Sequence, residues 1–184
     1  MNSARFEIRA ATDADRGAIW KIFHEVVAVG DTYPFDPQMS REGAMSYWFQ
    51  DGAHSYVTEI DCLKQSIAQG ARQIMGAYML RPNQSGGGSH VANAAFMVAK
   101  DARGQGIGRA MGEHCLNEAH RLGFRAMQFN FVVSTNESAI HLWKELGFEI
   151  VGVLPKAFQH PRKGFVDVFI MYRSLLDDSS AKLT

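Results

Sequence analysis

The chain is short of cysteine, carries no excess charge of either sign and contains no long apolar run, and each absence excludes something. It has 184 residues and two cysteines, Cys62 and Cys115. Their separation is not the close pairing that metal-ligand motifs use, so no metal is expected. Reduced thiols in a cytoplasmic protein are the simplest expectation, although the sequence alone leaves a disulfide between the two open. Lysine and arginine together number 19, as do aspartate and glutamate, for a formal net charge of +0. A nucleic-acid partner would call for a basic excess on one face. No apolar run approaches the ~20 residues that span a bilayer, and Met1–Ala10 lacks the apolar core of a signal peptide. Neither a nucleic-acid nor a membrane partner is therefore expected. There is also no internal repeat and no shift in composition. One domain over residues 5–176 is expected, followed by a polar tail, 177–184, that frays.

What is present is an alternation of strand and helix patterns. Phe6–Arg9 alternates as a short strand. Thr12 and Asp15 open a helix whose apolar residues Ile19, Trp20, Phe23, Val26 and Val27 fall on one face. Trp20, Trp48, Phe23 and the methionines read most simply as core. Gly30–Pro37 is a loop by its glycine, aspartate and proline content, yet it holds two aromatic residues. Ser40 caps a second helix that runs to about Gln50. Three strands follow, Ser55–Ile60, Gln73–Arg81 and His90–Ala99, with a Gly/Ser-rich loop at Pro82–Ser89. The remaining pattern is a helix over Ala110–Leu122 stopped by Gly123, a strand over Ala126–Val133, a helix over Asn136–Leu146 stopped by Gly147, and strands over Phe148–Leu154 and Phe165–Tyr172. The order βα(α)βββαβαββ predicts a mixed α/β sheet with helices on its faces.

The most specific segment joins the third of those strands to the next helix: Arg103-Gly104-Gln105-Gly106-Ile107-Gly108-Arg109. Glycines allow close approach. The N–H groups of a helix start lack internal acceptors, and the helix dipole favours negative charge there. Arg103 and Arg109 add full positive charges. The pattern reads as a phosphate cradle. Its G-x-G-x-G spacing is a poor match to a dinucleotide fingerprint, and no Gly-Lys-Ser/Thr follows as in a Walker loop. A nicotinamide-dependent oxidoreductase is the weaker alternative.

A second constellation follows about 30 residues on: Asn136, Ala139, Leu142, Trp143, Gly147 and Phe148, spaced N-x-x-A-x-x-L-W-x-x-x-G-F. By itself it is a capped amphipathic helix. Paired with R-G-x-G-I-G, in this order and topology, it resembles the GNAT superfamily of acetyl-CoA-dependent N-acetyltransferases over about Phe6–Tyr172. The resemblance implies a mostly antiparallel sheet, splayed at its centre between strands 90–99 and 126–133, with acetyl-CoA as co-substrate in the opening. It implies an enzyme that moves an acetyl group to an amine by direct attack on the thioester, and a capacity to form homodimers. A catalytically silent acyl-CoA-binding module is the competing reading.

Residue by residue, the resemblance implies that backbone groups of Met97 and Val98 bond the pantetheine arm. The N–H groups of Gln105, Gly106, Ile107, Gly108 and Arg109 would hold the pyrophosphate, beside Gly104 and Arg103. Asn136 would bond the arm, and Ser138 and Trp143 would lie near the thiol. A backbone N–H near Met97 would steady the oxyanion. Many members carry tyrosine, the usual proton donor to the leaving thiolate, where this chain has Trp143, whose indole does not ionise at working pH. Thiols ionise near pH ~8.5, so a thiolate can leave unprotonated; water, Tyr172 or Ser138 are other proton sources. Asn130 and Asn93 stand in otherwise apolar strands, where a buried amide needs a partner; they could clamp an acceptor. Asp31, Thr32, Tyr33 and Phe35 would wall its pocket, with His90, His160 and Glu59 as candidate bases. The segment from Phe129-Asn130 to Trp143 and Phe148 is also similar to fungal acetyltransferases of proline analogues such as azetidine-2-carboxylate. It points to a small amino acid or amine as acceptor.

Overall fold

The computed structural model describes residues 6–61 and 72–176. Cys62 and the tail 177–184 lie outside the described residues. Seven strands form one sheet: β1 (Phe6–Ala10), β2 (His54–Asp61), β3 (Arg72–Pro82), β4 (Val91–Val98), β5 (Ala126–Val133), β6 (Glu149–His160) and β7 (Gly164–Ser174). Their spatial order is β1-β2-β3-β4-β5-β7-β6. Four helices cover it: α1 (Arg16–Val29), α2 (Arg41–Trp48), α3 (Ile107–Arg121) and α4 (Glu137–Glu145). All neighbouring strands are antiparallel except β4 and β5, which are parallel.

The expected elements are all present, and three differ most at their ends. Helix α3 begins at Ile107, three residues before the expected Ala110. Gly108 therefore belongs to the helix, not the turn. Ile107 is buried and anchors this first turn to the core. The last two strands are longer than expected because they form a hairpin that runs past the apolar pattern to His160 and Gly164.

β3 shows why helices are needed on both faces. Met75 to Leu80 is buried without alternation, as a strand covered on both sides must be. Tyr78 Oη lies 2.6 Å from His114 Nδ1 on α3, whereas Met79 receives Gln50 from the end of α2. The α3 face carries a ring ladder across three strands: Tyr56 stacks on Tyr78 at 4.7 Å between centroids, and Tyr78 on Phe96 at 5.4 Å. Helices α3 and α4 approach closely at Gly112, where a Cβ would stand 2.5 Å from the Leu146 side chain. Among the described residues no helix is long and apolar enough to cross a membrane.

The first helix is tied to the sheet by charge. Asp15 is buried, at 5% exposure, and takes two Arg9 nitrogens at 2.8 and 2.9 Å and the Thr12 N–H at 2.7 Å. Arg9 also reaches Glu59 at 2.5 Å. The Arg9 hydrogen bonds hold the Asp15 carboxyl well below the usual carboxylate range. Replacing Asp15 by Ala removes one of the two carboxylates that hold Arg9 and the acceptor of the Thr12 N–H, and is expected to cost about 2 kcal/mol in denaturant titration. Because the folded pKa is depressed, Asp15 contributes its full stability above the unfolded value near pH ~4, and that stability drains as the pH falls. Stability curves from pH 7 to 3 should therefore be steeper for the wild type than for Asp15→Ala.

Candidate active site

The parallel β4–β5 ladder holds for two residue pairs, Val91–Ala126 and Ala92–Met127, and then stops. Beyond it the strands part. Ala99 N–H donates to Met75 O at 2.8 Å, and bonding alternates along an antiparallel pair. Odd-numbered residues of β4 thus spend their backbone groups on β3. Ala94, Phe96 and Val98 turn theirs into the gap. This corrects the expectation for Met97, whose N–H and C=O lie on the β3 side, opposite Ala77. The inward N–H nearest the centre is that of Phe96.

Three rings wedge the gap on the α3–α4 side. Trp143 lies 4.8 Å from Phe96 and 4.7 Å from Phe129, centroid to centroid, and Phe129 stacks on Phe148 at 4.4 Å. On β5 a bulge falls between Phe129 and Val132, which locally re-aims the strand at Asn130 and Phe131. The opening is a cleft of about 850 Å³ that runs through the sheet from one face to the other.

At one mouth stands the Gly-rich turn. Gly104 and Gly106 adopt φ of 75° and 83°, a region side chains disfavour. A Cβ at either would meet nothing within 4 Å, so backbone conformation, not crowding, demands glycine here. The first helical hydrogen bond is Ala110 N–H to Gly106 O, 3.0 Å. The N–H groups before it have no helical acceptor and face the cleft mouth. Arg103 lines this mouth, and among the described residues no carboxylate is within salt-bridge reach of it. The Arg109 side chain departs from expectation. It pairs with Glu145 on α4 and lies 3.8 Å from Glu113, so its charge is already met. Gln105 is exposed and donates to Asp101 O at 2.9 Å, outside the cleft lining.

Asn136 caps α4, its Oδ1 accepting from Ala139 N–H at 3.3 Å. Ser138 Oγ donates to the same oxygen at 3.2 Å. Both line the cleft with Leu142 and Trp143.

The other mouth is walled by the α1–α2 loop. Asp31, Thr32, Tyr33 and Phe35 all line it. Tyr33 reaches furthest: its hydroxyl donates to Phe96 O at 2.5 Å and accepts from Phe96 N–H at 3.1 Å. Burial pushes its pKa well above the ordinary tyrosine value. Asn93 and Asn130 both donate to Asn83 Oδ1, at 3.1 and 2.6 Å, and so form an amide bridge across the splay.

The candidate bases separate. His160 lines the cleft, but its Nδ1 accepts from the N–H groups of Arg162 and Lys163 at 3.1 and 3.3 Å. A neutral ring then carries its hydrogen on Nε2. His90 is exposed at the closed end of the β4–β5 pair, with Nδ1 3.1 Å from Gly87 O, and does not line the cleft. Glu59 belongs to the Arg9 cluster on β2. Tyr172 on β7 is also outside the lining. Among the lining residues that the sequence reading did not single out are Phe96, Tyr47 and Arg81. Arg81 was legible only as the charged end of an apolar strand.

The acetyltransferase (GNAT) family model matches residues 19–148. Over 151 residues the chain is 31% identical to N-acetyltransferase aca1 of Schizosaccharomyces pombe, which covers 78% of this chain and 72% of that protein. A GCN5-related N-acetyltransferase from Kribbella flavida superposes with a TM-score of 0.83 at 41% identity, over 92% of this chain and 97% of that one. A phosphinothricin acetyltransferase from Sinorhizobium meliloti, solved with acetyl-CoA, has the same fold, with a TM-score of 0.78 at 23% identity over 97% of this chain and 93% of that one. The chain belongs to the GNAT acetyltransferase family and is an acetyl-CoA-dependent N-acetyltransferase. The weaker alternative, a nicotinamide-dependent oxidoreductase, is thereby set aside.

A valine at Gly106 tests the cradle. The left-handed φ costs a β-branched residue about 1–3 kcal/mol, which a domain of this size tolerates. The thermal stabilisation that acetyl-CoA confers, about 2.7 kcal/mol at a hundred times Kd, is expected to disappear in Gly106→Val. An unchanged shift would contradict the cradle.

Proposed function

We propose that the acceptor is the amine of a small molecule, an amino acid or close analogue, which attacks the acetyl thioester directly. The observation that carries this reading is the aromatic wall of the acceptor mouth. Tyr33 is hydrogen-bonded into the gap at Phe96, with Phe35 and Tyr47 packed at 5.0 Å behind it. Such a wall leaves room for a compact amine and little for a folded protein surface. The similarity to acetyltransferases of proline analogues around Asn130 and Trp143 supports the same class. In this reading the enzyme works in the cytoplasm, forms a homodimer and needs neither metal nor nucleic acid.

The cofactor's pyrophosphate takes the N–H groups between Gly104 and Arg109, with Arg103 as the cation at that mouth. The pantetheine arm pairs with the inward backbone of Val98 and with the Asn136 amide, and the thioester lies beside Ser138 and Trp143. The acetyl oxygen accepts the Phe96 N–H. The amine nitrogen then bonds to the carbonyl carbon, and the carbonyl electron pair moves to oxygen. Collapse breaks the C–S bond, the sulfur leaves with the electron pair, and the amine loses its proton to solvent. Trp143 supplies packing but no proton. A thiolate leaves without one because thiol pKa values lie near ~8.5.

Tyr33 fills part of the gap that Trp143 leaves. Its hydroxyl already sits one hydrogen bond from the Phe96 N–H, and burial keeps it protonated. When the acetyl oxygen takes that N–H, the hydroxyl is in reach to turn its hydrogen from Phe96 O to the developing oxyanion. Two donors then share the charge.

Thiol release measured across an amine panel tests the acceptor class. Turnover of small amines is expected; turnover of protein or peptide amines alone would overturn it. Tyr33→Phe is expected to lower kcat about 10²–10³-fold with acetyl-CoA affinity retained. A variant with normal kcat would remove Tyr33 from the chemistry. Asn130→Ala should raise the acceptor KM more than the acetyl-CoA KM. A change confined to melting temperature would make Asn130 a scaffold residue.

A further inference from the structure

The acceptor mouth contains a cation that, among the described residues, no carboxylate neutralises. Arg81 ends the apolar run of β3, in register with Asn93 on β4, and lines the cleft on the side of α2. Its hydrogen-bond partners are the Pro82 carbonyl at 3.4 Å and the Tyr47 hydroxyl. Its Nε is buried and has no hydrogen-bond partner. Among the described residues no carboxylate lies within 4.0 Å of the guanidinium. The one acid lining the cleft, Asp31, is instead 4.0 Å from Arg162. Of the other arginines in the lining, Arg109 is neutralised by Glu145, and Arg103 stands at the opposite, glycine-turn mouth.

A partly buried guanidinium with an orphaned nitrogen is costly, and proteins seldom keep one without an anion. We infer that Arg81 is a carboxylate subsite: the acceptor is an amine that also carries a carboxylate, held by the Arg81 guanidinium while its nitrogen faces the thioester. This deepens the reading of the acceptor as a small amine and rests on it.

The surroundings suit that ligand. A guanidinium presents paired N–H donors that match a carboxylate. Tyr47 accepts from Arg81, so its own O–H is free to donate to the same carboxylate, and burial raises its pKa and keeps it protonated. Asn93, opposite Arg81, and Asn130 line the same cleft. Asn93 and Phe96 are three residues apart on β4, roughly 10 Å at the usual strand rise. A ligand of amino-acid size is of the order needed to reach from the guanidinium to the Phe96 N–H. His160 also lines the cleft and adds no competing negative charge.

The test uses matched acceptors: amino acids, their carboxamides and the amines left by decarboxylation, with thiol release followed for the wild type, Arg81→Gln and Arg81→Lys. The wild type is expected to favour the carboxylate over the carboxamide in kcat/KM by about 100-fold. Arg81→Gln should collapse that preference and Arg81→Lys should keep part of it. Thermal shifts with N-acetyl amino acids, which keep the carboxylate, provide a second readout. Stabilisation of the wild type but not of a folded Arg81→Gln supports the subsite. Equal wild-type rates on carboxylate and carboxamide, or an Arg81→Gln loss of the same size on both, overturns it while leaving the small-amine reading intact. If all three acceptor forms are inert and only peptide amines react, the small-amine reading fails, and this inference fails with it.

Discussion

Everything the cleft can do depends on a break in hydrogen bonding. Two parallel strands begin paired and then separate, because aromatic rings stand where the ladder would continue. Phe96, Phe129 and Trp143 fill one side of the gap, and the bulge after Phe129 bends β5 locally. The broken ladder leaves a row of strand N–H and C=O groups with no sheet partner. Unpaired backbone groups in an interior are expensive, so the gap is a site that a polar, extended ligand completes. In the proposed reaction the rings and the glycine turn serve the donor face, and the α1–α2 loop serves the acceptor face. The two substrates of that direct transfer would meet across one layer of sheet.

Trp143 shows how packing and chemistry trade at such a break. Where relatives in the family often carry a tyrosine, this chain has a larger ring without an acid. The indole contacts Phe96, Phe129 and Phe148 at once and helps to hold the wedge. The hydroxyl closest to the Phe96 N–H comes instead from Tyr33, on a loop that is remote in sequence. In the proposed reaction the proton of the leaving thiolate is dispensable, whereas charge on the carbonyl oxygen must be met. A donor at the oxyanion therefore matters more than an acid at the sulfur.

Much of this was legible along the chain. The strand and helix periods, the caps at Ser40 and Asn136, and the stops at Gly123 and Gly147 are local matters, set by side chains within a few residues of one another. The paired motifs at Arg103–Arg109 and Asn136–Phe148 are local too, which is why the family and the splay could be anticipated. The errors share one cause. His90 and Glu59 were candidates because their residue types can act as bases, yet their positions depend on partners far away in sequence. Glu59 is occupied by Arg9 and His90 lies at the paired end of the β4–β5 ladder. Arg109 was read as a phosphate cation because Glu145, which takes its charge, is 36 residues on.

The sequence by itself therefore determined the elements, their order, the glycine turn and the family, since these follow from short-range periodicity, backbone freedom and motif spacing. Tertiary structure alone decided which edge of β4 faces the gap, and so made Phe96 rather than Met97 the inward N–H. It decided that Tyr33 crosses 63 residues of chain to reach that N–H, that His160 Nδ1 is taken up by the turn at Arg162 and Lys163, and that Arg81 is left without an acid among the described residues. Register and charge pairing are properties of chain segments brought together by folding, and no single segment carries them.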